Sequence, residues 1–368
     1  MYKSIETLLI EIPTIRPHKM AVATMQTQTL VLIKITTEDG LIGWGEATTI
    51  GGLGYGEESP ESVKTNIETY FAPLLKTLSG ANIAQTMQVI HRNINGNRFA
   101  KCAVQTALLD IQAQRLGQPL SEILGGRLRD SIPVLWVLAS GNTEKDIAEA
   151  EKMIALKRHN VFKLKIGSRP VEQDVEHVLA IKKALGADIS IRVDVNRAWS
   201  ELNAIKGIQM LQDGGVDLIE QPCAIHNIDA MQRLSRKFDI AIMADESLTG
   251  PQSAYNLAKT NAASVFAVKV AQSGGLIEAC EVGKIANLAG IDLYGGTMLE
   301  GPVGTIASAH AFYISNLAAG TELFGPLLLT EEILKTPLQY GNFELKIPTG
   351  PGLGIELDED KIDNLRRQ

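Results

Sequence analysis

From about residue 131 onward, short apolar runs alternate with helical stretches along the chain. The runs at 134–139, 162–167, 191–196, 218–222, 242–246, 265–270, 293–296 and 321–324 are almost continuously apolar, as strands buried on both faces are. Between the second and third lies VEQDVEHVLAIKKAL, with Val171, Val175, Val178, Leu179 and Leu185 on one helical face. Eight such strands with intervening helices predict an α/β fold, a modified (β/α)8 TIM-type barrel.

The N-terminal part follows another pattern. Strand-like runs at 5–12 and 29–36 come first, and the opening MYKSIETLLIEIPTIRP alternates polar and apolar residues until Pro13 and Pro17, where the strand is expected to break. Glu38-Asp39-Gly40 then turns the chain into LIGWG as a hairpin. A glycine-rich loop at 48–56 leads to helical patterns at 60–78, 83–94 and 101–116. Strands followed by helices predict an N-terminal α+β capping domain over 1–130, with the barrel at 131–326. Residues 327–368 no longer repeat the unit, and 343–347 with PTGPGLGIEL are expected to fold back onto the first domain.

The 368 residues suit two or three units sharing a core. A hydrophobic content of 45% with 21% charged residues marks an ordinary globular protein. The net charge of −7, without a long Lys/Arg run, argues against nucleic acid as a partner. No signal peptide is visible and no apolar stretch approaches the ~20 residues of a membrane helix. Cys102, Cys223 and Cys280 form no CxxC pair, which suits buried thiols in a reducing cytoplasm. The six histidines lack metal spacing such as HExxH.

The chemistry lies where charged residues end apolar runs. Asp194 ends IRVD, Glu220 ends LIE and Asp245 follows IMA; FKLK carries Lys163 and Lys165, and VFAVK ends on Lys269. Steps of 29, 26, 25 and 24 residues separate Lys165, Asp194, Glu220, Asp245 and Lys269, one strand and helix each. Barrel enzymes carry reactive side chains at the C-terminal ends of their strands, so the three acids would converge and suit a hard divalent ion, Mn²⁺ or Mg²⁺. Asn196 and Glu246 are natural partners for those ligands. Any one of the acids alone reads better as a helix N-cap; three in register between lysine-bearing strands favour a metal. Lys163 and Lys165, two apart, share a face. Outside, among helices, they would pack poorly; inside, they meet the acids, and a neighbouring ammonium and a metal would lower their pKa toward a general acid–base role. With Lys269 across the mouth, the site is suited to an enolate next to a carboxylate.

These residues, KLK, DVN, IEQP, ADES and a strand lysine, resemble the enolase superfamily in its muconate-lactonizing subgroup. PTIRPHKM, GEATTIGGLGYGEESPE, LYGGTMLEG and GTELFGPLLLTEEI extend the resemblance over essentially the whole chain, cap included. It implies an isomerase that closes cis,cis-muconate to muconolactone in catechol breakdown, in the β-ketoadipate pathway. It implies metal ligation by Asp194, Glu220 and Asp245, proton transfer by Lys165, enolate stabilisation by Lys163 and Lys269, and a proton-donor role for Glu322, which could pair with Lys269. It implies a dicarboxylate as the small-molecule partner and a homo-oligomer, an octamer in the family. Cap-loop candidates for substrate binding are His18, Lys19 and Met20, then Ile50 and Tyr55, with Phe324 from the barrel; Gly51, Gly52, Gly54 and Gly56 alone would signal only a turn. Ile50, Tyr55 and Phe324 resemble the type acting on unchlorinated muconate. Cys223 has no assigned role.

Several readings stay open at this point. A chloromuconate cycloisomerase shares the motifs, as more remotely do o-succinylbenzoate synthase, N-acylamino acid racemase and dipeptide epimerase. A Schiff-base aldolase would use a barrel lysine without a metal. A barrel kept only for binding is disfavoured, because so many ionisable groups at one mouth are costly without a metal and a substrate.

Overall fold

The structure is a computed structural model and describes residues 2–21, 23–78 and 82–367. Three strands open it: β1 (Tyr2–Lys19), β2 (Thr24–Thr37) and β3 (Ile42–Thr48), antiparallel in the order β1-β2-β3. The break expected at Pro13 and Pro17 does not end β1. It appears instead as a lapse in pairing, between Pro13 opposite Thr27 and His18 opposite Met25. β1 lies at the sheet's edge, where a proline's missing N–H costs no ladder bond. The β1–β2 arm therefore extends far enough for the Lys19 amide to bond Ala139 O at the barrel, 3.3 Å away.

Behind this sheet runs the Arg98–Leu116 helix. Gly43 and Gly45 alternate along β3 toward it, and the approach is so close that a Cβ on Gly45 would lie 1.9 Å from Ala103 O. The helix expected over 60–78 forms as Pro60–Asn66 and Ala72–Thr77 around a π-turn at Ile67–Phe71. Its start is a capping box in which Ser59 and Ser62 satisfy each other's amides.

The barrel sheet holds seven parallel strands: β5 (Trp136–Leu138), β6 (Val161–Lys165), β7 (Ser190–Asp194), β8 (Leu218–Glu220), β9 (Ala241–Ala244), β10 (Val265–Val268) and β11 (Asp292–Gly295). The eighth expected strand, 321–324, is reduced to one residue. Thr321 bridges Val134 on one side and Gly295 on the other. Strand pairing goes no further because the Phe324 amide bonds back to Glu322 O and the chain enters the Gly325–Leu328 3-10 turn.

Three short strands, in the order β12 (Gln339–Gly341), β13 (Glu344–Lys346) and β4 (Ser131–Pro133), make a separate sheet. The run 343–347 thus pairs with the strand that leads into the barrel, not with the N-terminal sheet. The glycine loop after it does reach the N-terminal unit: the Leu353 amide bonds Asp110 and the Leu120 amide bonds Gly352 O. Among the described residues, no helix is long and apolar enough to cross a membrane.

Candidate active site

Parallel register sets the charged residues level with one another. Lys165 lies opposite Asp194, and Asp194 opposite Glu220, each the last residue of its strand. Asp245 and Lys269 follow directly on the ends of β9 and β10. Ligand oxygens of Asp194, Glu220 and Asp245 come within 4.8 Å of one another, and all three residues are buried. Glu220 Oε1 and Asp245 Oδ1 find no hydrogen-bond partner although they are buried. Orphaned, converging carboxylate oxygens fit a hard divalent cation bound among them.

Both lysines of β6 point into the barrel. Lys165 Nζ lies 2.5 Å from Asp194 Oδ2, and Lys163 Nζ lies 2.6 Å from Glu220 Oε2 and also pairs with Glu322. Glu322 therefore meets Lys163, not Lys269 as its position suggested. Lys269 Nζ instead donates to Asp245 Oδ2 at 2.7 Å and to the Tyr55 hydroxyl at 2.5 Å. Tyr55 in turn donates to Asp245 Oδ2 at 2.7 Å, so a cap residue reaches a ligand of the acidic trio. Asn196 donates to Asp194 and to Glu246, at 3.1 and 3.3 Å.

Burial and neighbours divide the charges. Burial alone would lower the Lys163 ammonium, but Glu220 and Glu322 carry it well above the usual lysine value. Lys269 is raised in the same way against burial, chiefly by Asp245. At Lys163 the depression expected from a neighbouring ammonium is thus outweighed by the carboxylates. Burial opposes charge on Asp194, yet Lys165 and Lys163 hold it below the carboxylate range. Burial and the charges of Asp194 and Asp245 push Glu220 well up, against the pull of Lys163. Glu246 rises to about 8, from burial and the same two aspartates. Burial, then Lys165 and Arg16, drives His18 far down, so its ring is neutral.

A small cavity lies over this floor, lined by His18, Met20, Ile50, Tyr55, Lys165 and Phe324 among others. It offers about 10 Å³, room for roughly one water, so entry of a larger ligand requires the cap loops to move. Lys19 is exposed and contributes nothing to the lining. Three further lining residues, Val137, Thr297 and Leu299, are not among the site residues expected from the sequence, although Thr297 and Leu299 lie within LYGGTMLEG and Val137 within the first apolar run. A fourth unforeseen residue, Arg197, stacks over the Tyr55 ring at 5.8 Å and pairs with Glu246 at 3.2 Å; its place directly after DVN was the available hint. Cys223 is buried, and burial raises its thiol to about 11, so it has no reactive character. A larger groove of about 760 Å³ between β3 and the C-terminal segment lacks any such convergence of lysines and acids.

Residues 4–125 match the family model for the mandelate racemase / muconate lactonizing enzyme N-terminal domain, and residues 145–361 match the enolase C-terminal domain-like model. Muconate cycloisomerase 1 of Acinetobacter baylyi is 74% identical over 369 residues, 100% of both chains. A chloromuconate cycloisomerase of Delftia acidovorans is 40% identical over 366 residues, 99% of each. The crystal structure of muconate lactonizing enzyme from Pseudomonas fluorescens complexed with muconolactone superposes with a TM-score of 0.98 at 54% identity, covering 100% of this chain and 99% of that one. A barrel bearing lysines on both sides of a buried acidic trio, roofed by an α+β cap, thus coincides with full-length similarity, and the chain belongs to the muconate-lactonizing subgroup of the enolase superfamily.

Proposed function

We propose that the protein is a muconate cycloisomerase, which interconverts cis,cis-muconate and muconolactone with Mn²⁺ or Mg²⁺ held by Asp194, Glu220 and Asp245. The observation that carries this is the placement of Lys165 and Lys269 on two sides of the buried trio, each bonded to one of its acids. The divalent ion, when bound, supplies Lewis-acid stabilisation to a substrate carboxylate that takes on enolate charge.

The chain's own groups do the rest. Lys163 and Lys269 are kept cationic by buried acids and add positive charge around the developing enolate. Lys165 moves the proton, from Nζ to the α-carbon on lactonisation and back in reverse. Glu322 anchors Lys163 through Oε1 and serves as a proton donor at the mouth. Asn196 and Glu246 orient Asp194. His18, Ile50, Tyr55 and Phe324 enclose the substrate, and their closure excludes water from a short-lived enolate. Residues 1–130 act as the cap, 131–326 as the catalytic barrel, and 327–368 as the segment tying them together, in a cytoplasmic homo-oligomer of the octameric type.

The first test follows loss of the ultraviolet absorbance of cis,cis-muconate with purified protein and Mn²⁺. It runs beside an EDTA-treated sample, the Lys165→Ala variant and 2-chloromuconate. Rapid metal-dependent loss, abolished in the variant and much slower on the chlorinated acid, is expected. Preference for the chlorinated acid would move the assignment to chloromuconate cycloisomerase.

A further inference from the structure

Leu299 adopts a left-handed backbone, at φ 59°, in a cavity wall it shares with Thr297. A leucine there is strained, and it persists only where its surroundings dictate the conformation. Those surroundings come from both units. Within the loop, Thr297 and the Met298 amide bond the buried carboxylate of Glu300, and the Leu299 amide bonds Thr297 Oγ1 at 2.9 Å. From the cap, Gln28 on β2 reaches across with Nε2 to Met298 O at 3.3 Å and Leu299 O at 2.9 Å. Glu46 on β3 accepts the Gly301 and Gly304 amides, at 2.6 and 2.8 Å, from the start of the Pro302–Tyr313 helix. The seam leaves no slack: a Cβ on Gly301 would lie 2.5 Å from Leu30 Cδ1. Gln28 and Glu46 are 2% exposed, and neither touches the reacting groups.

We propose that Gln28 and Glu46 are positioning residues through which the cap's sheet holds the Thr297–Gly301 loop in its strained form, and so sets the wall that selects the substrate. Both carbonyls flanking the strained residue are bonded by a single side chain from the other unit, so removing that side chain releases the wall without altering the lysines or the acidic trio. Selectivity then rests partly on β2 and β3, more than 250 residues in sequence from the wall they hold.

This inference rests on the muconate reading, and the test separates the two. Gln28→Met keeps the side chain's size and removes its donor; Glu46→Gln replaces one acceptor with a donor and serves if the first variant does not fold. Hydrogen exchange needs no substrate. Amides of Met298, Leu299 and Gly301 are expected to exchange at least about tenfold faster in Gln28→Met, with the segments carrying Asp194 and Glu220 unchanged. KM for cis,cis-muconate is expected to rise about tenfold with kcat within about threefold, and the preference over 2-chloromuconate to narrow. A merely structural tie would lower the active fraction and leave KM and the preference as they were. Unchanged exchange in the loop, or loosened exchange with unchanged KM and preference, overturns the proposal. Absence of muconate turnover in the unmodified protein would defeat the functional reading instead, and the exchange result would then decide the positioning role alone.

Discussion

The floor and the roof of the site are built on different principles. On the floor, Lys165, Asp194, Glu220, Asp245 and Lys269 stand at or just past the ends of parallel strands, and neighbouring strands fix the spacing: Lys165 faces Asp194, which faces Glu220. The roof is assembled from the tip of a hairpin arm, a glycine loop and a loop strained at Leu299. A floor made by register holds charge in place at little cost in flexibility. A roof made of loops can open, and a cavity with room for about one water has to. Chemistry should therefore depend on the floor in large steps and on the roof in small ones.

The largest step is the metal. Chelation by EDTA is expected to reduce muconate turnover to background, with recovery on adding Mn²⁺. The thermal midpoint should rise with free Mn²⁺, corresponding to ~4 kcal/mol when the ion stands at a thousand times its Kd. Turnover that survives exhaustive chelation would remove the floor's central role. Next is Lys165→Ala, expected to lower kcat by about 10²–10⁴ or more. The variant should also stop exchanging the α-proton of muconolactone for deuterium in heavy water, an assay that isolates the proton transfer. Retained exchange would assign that step to another group.

Tyr55 tests where floor and roof meet. Tyr55→Phe keeps the ring over Lys269 and under Arg197 but deletes the hydroxyl shared with Asp245 and Lys269. A loss of about tenfold in kcat, with Mn²⁺ affinity nearly unchanged, is expected from one buried hydrogen bond. A loss as large as that of Lys165→Ala would mean that the roof takes part in the chemistry itself.

The same division governs what was legible in the sequence. The ladder Lys165, Asp194, Glu220, Asp245 and Lys269 could be read because a parallel barrel repeats at a nearly constant interval. The partner of Glu322 could not, since which lysine it meets depends on how the barrel closes, and closure passes through the single residue Thr321. Lys19 shares a run with His18 and Met20, but the two-residue period of a strand puts it on the opposite face, turned outward. Pro13 and Pro17 looked like strand breakers because the sequence does not say which strand is at the edge. Nothing local marks Leu299 for a left-handed backbone; Gln28 and Glu46, more than 250 residues away, impose it.

The smallest effect is expected at the seam behind the floor, where His310 joins the barrel to two other segments. The Ser121 amide donates to Nδ1 and Nε2 faces Leu353 O, both at 3.2 Å, which fixes a neutral ring with its proton on Nε2. Burial holds its pKa down at about 4, against ~6.5 in the unfolded chain. The unfolded state therefore takes up a proton first as pH falls, and the stability present above ~6.5 is lost progressively until the pH reaches the folded value. Between pH 7 and pH 5 this one group should remove ~2 kcal/mol. Denaturant unfolding of His310→Gln at both pH values isolates the effect, because every other titrating group is common to the two proteins. The variant's own stability at pH 7 does not matter, only that its drop to pH 5 is smaller by that amount. Equal drops would mean that the seam accommodates the charged ring and that acid sensitivity arises instead among the buried carboxylates of the floor.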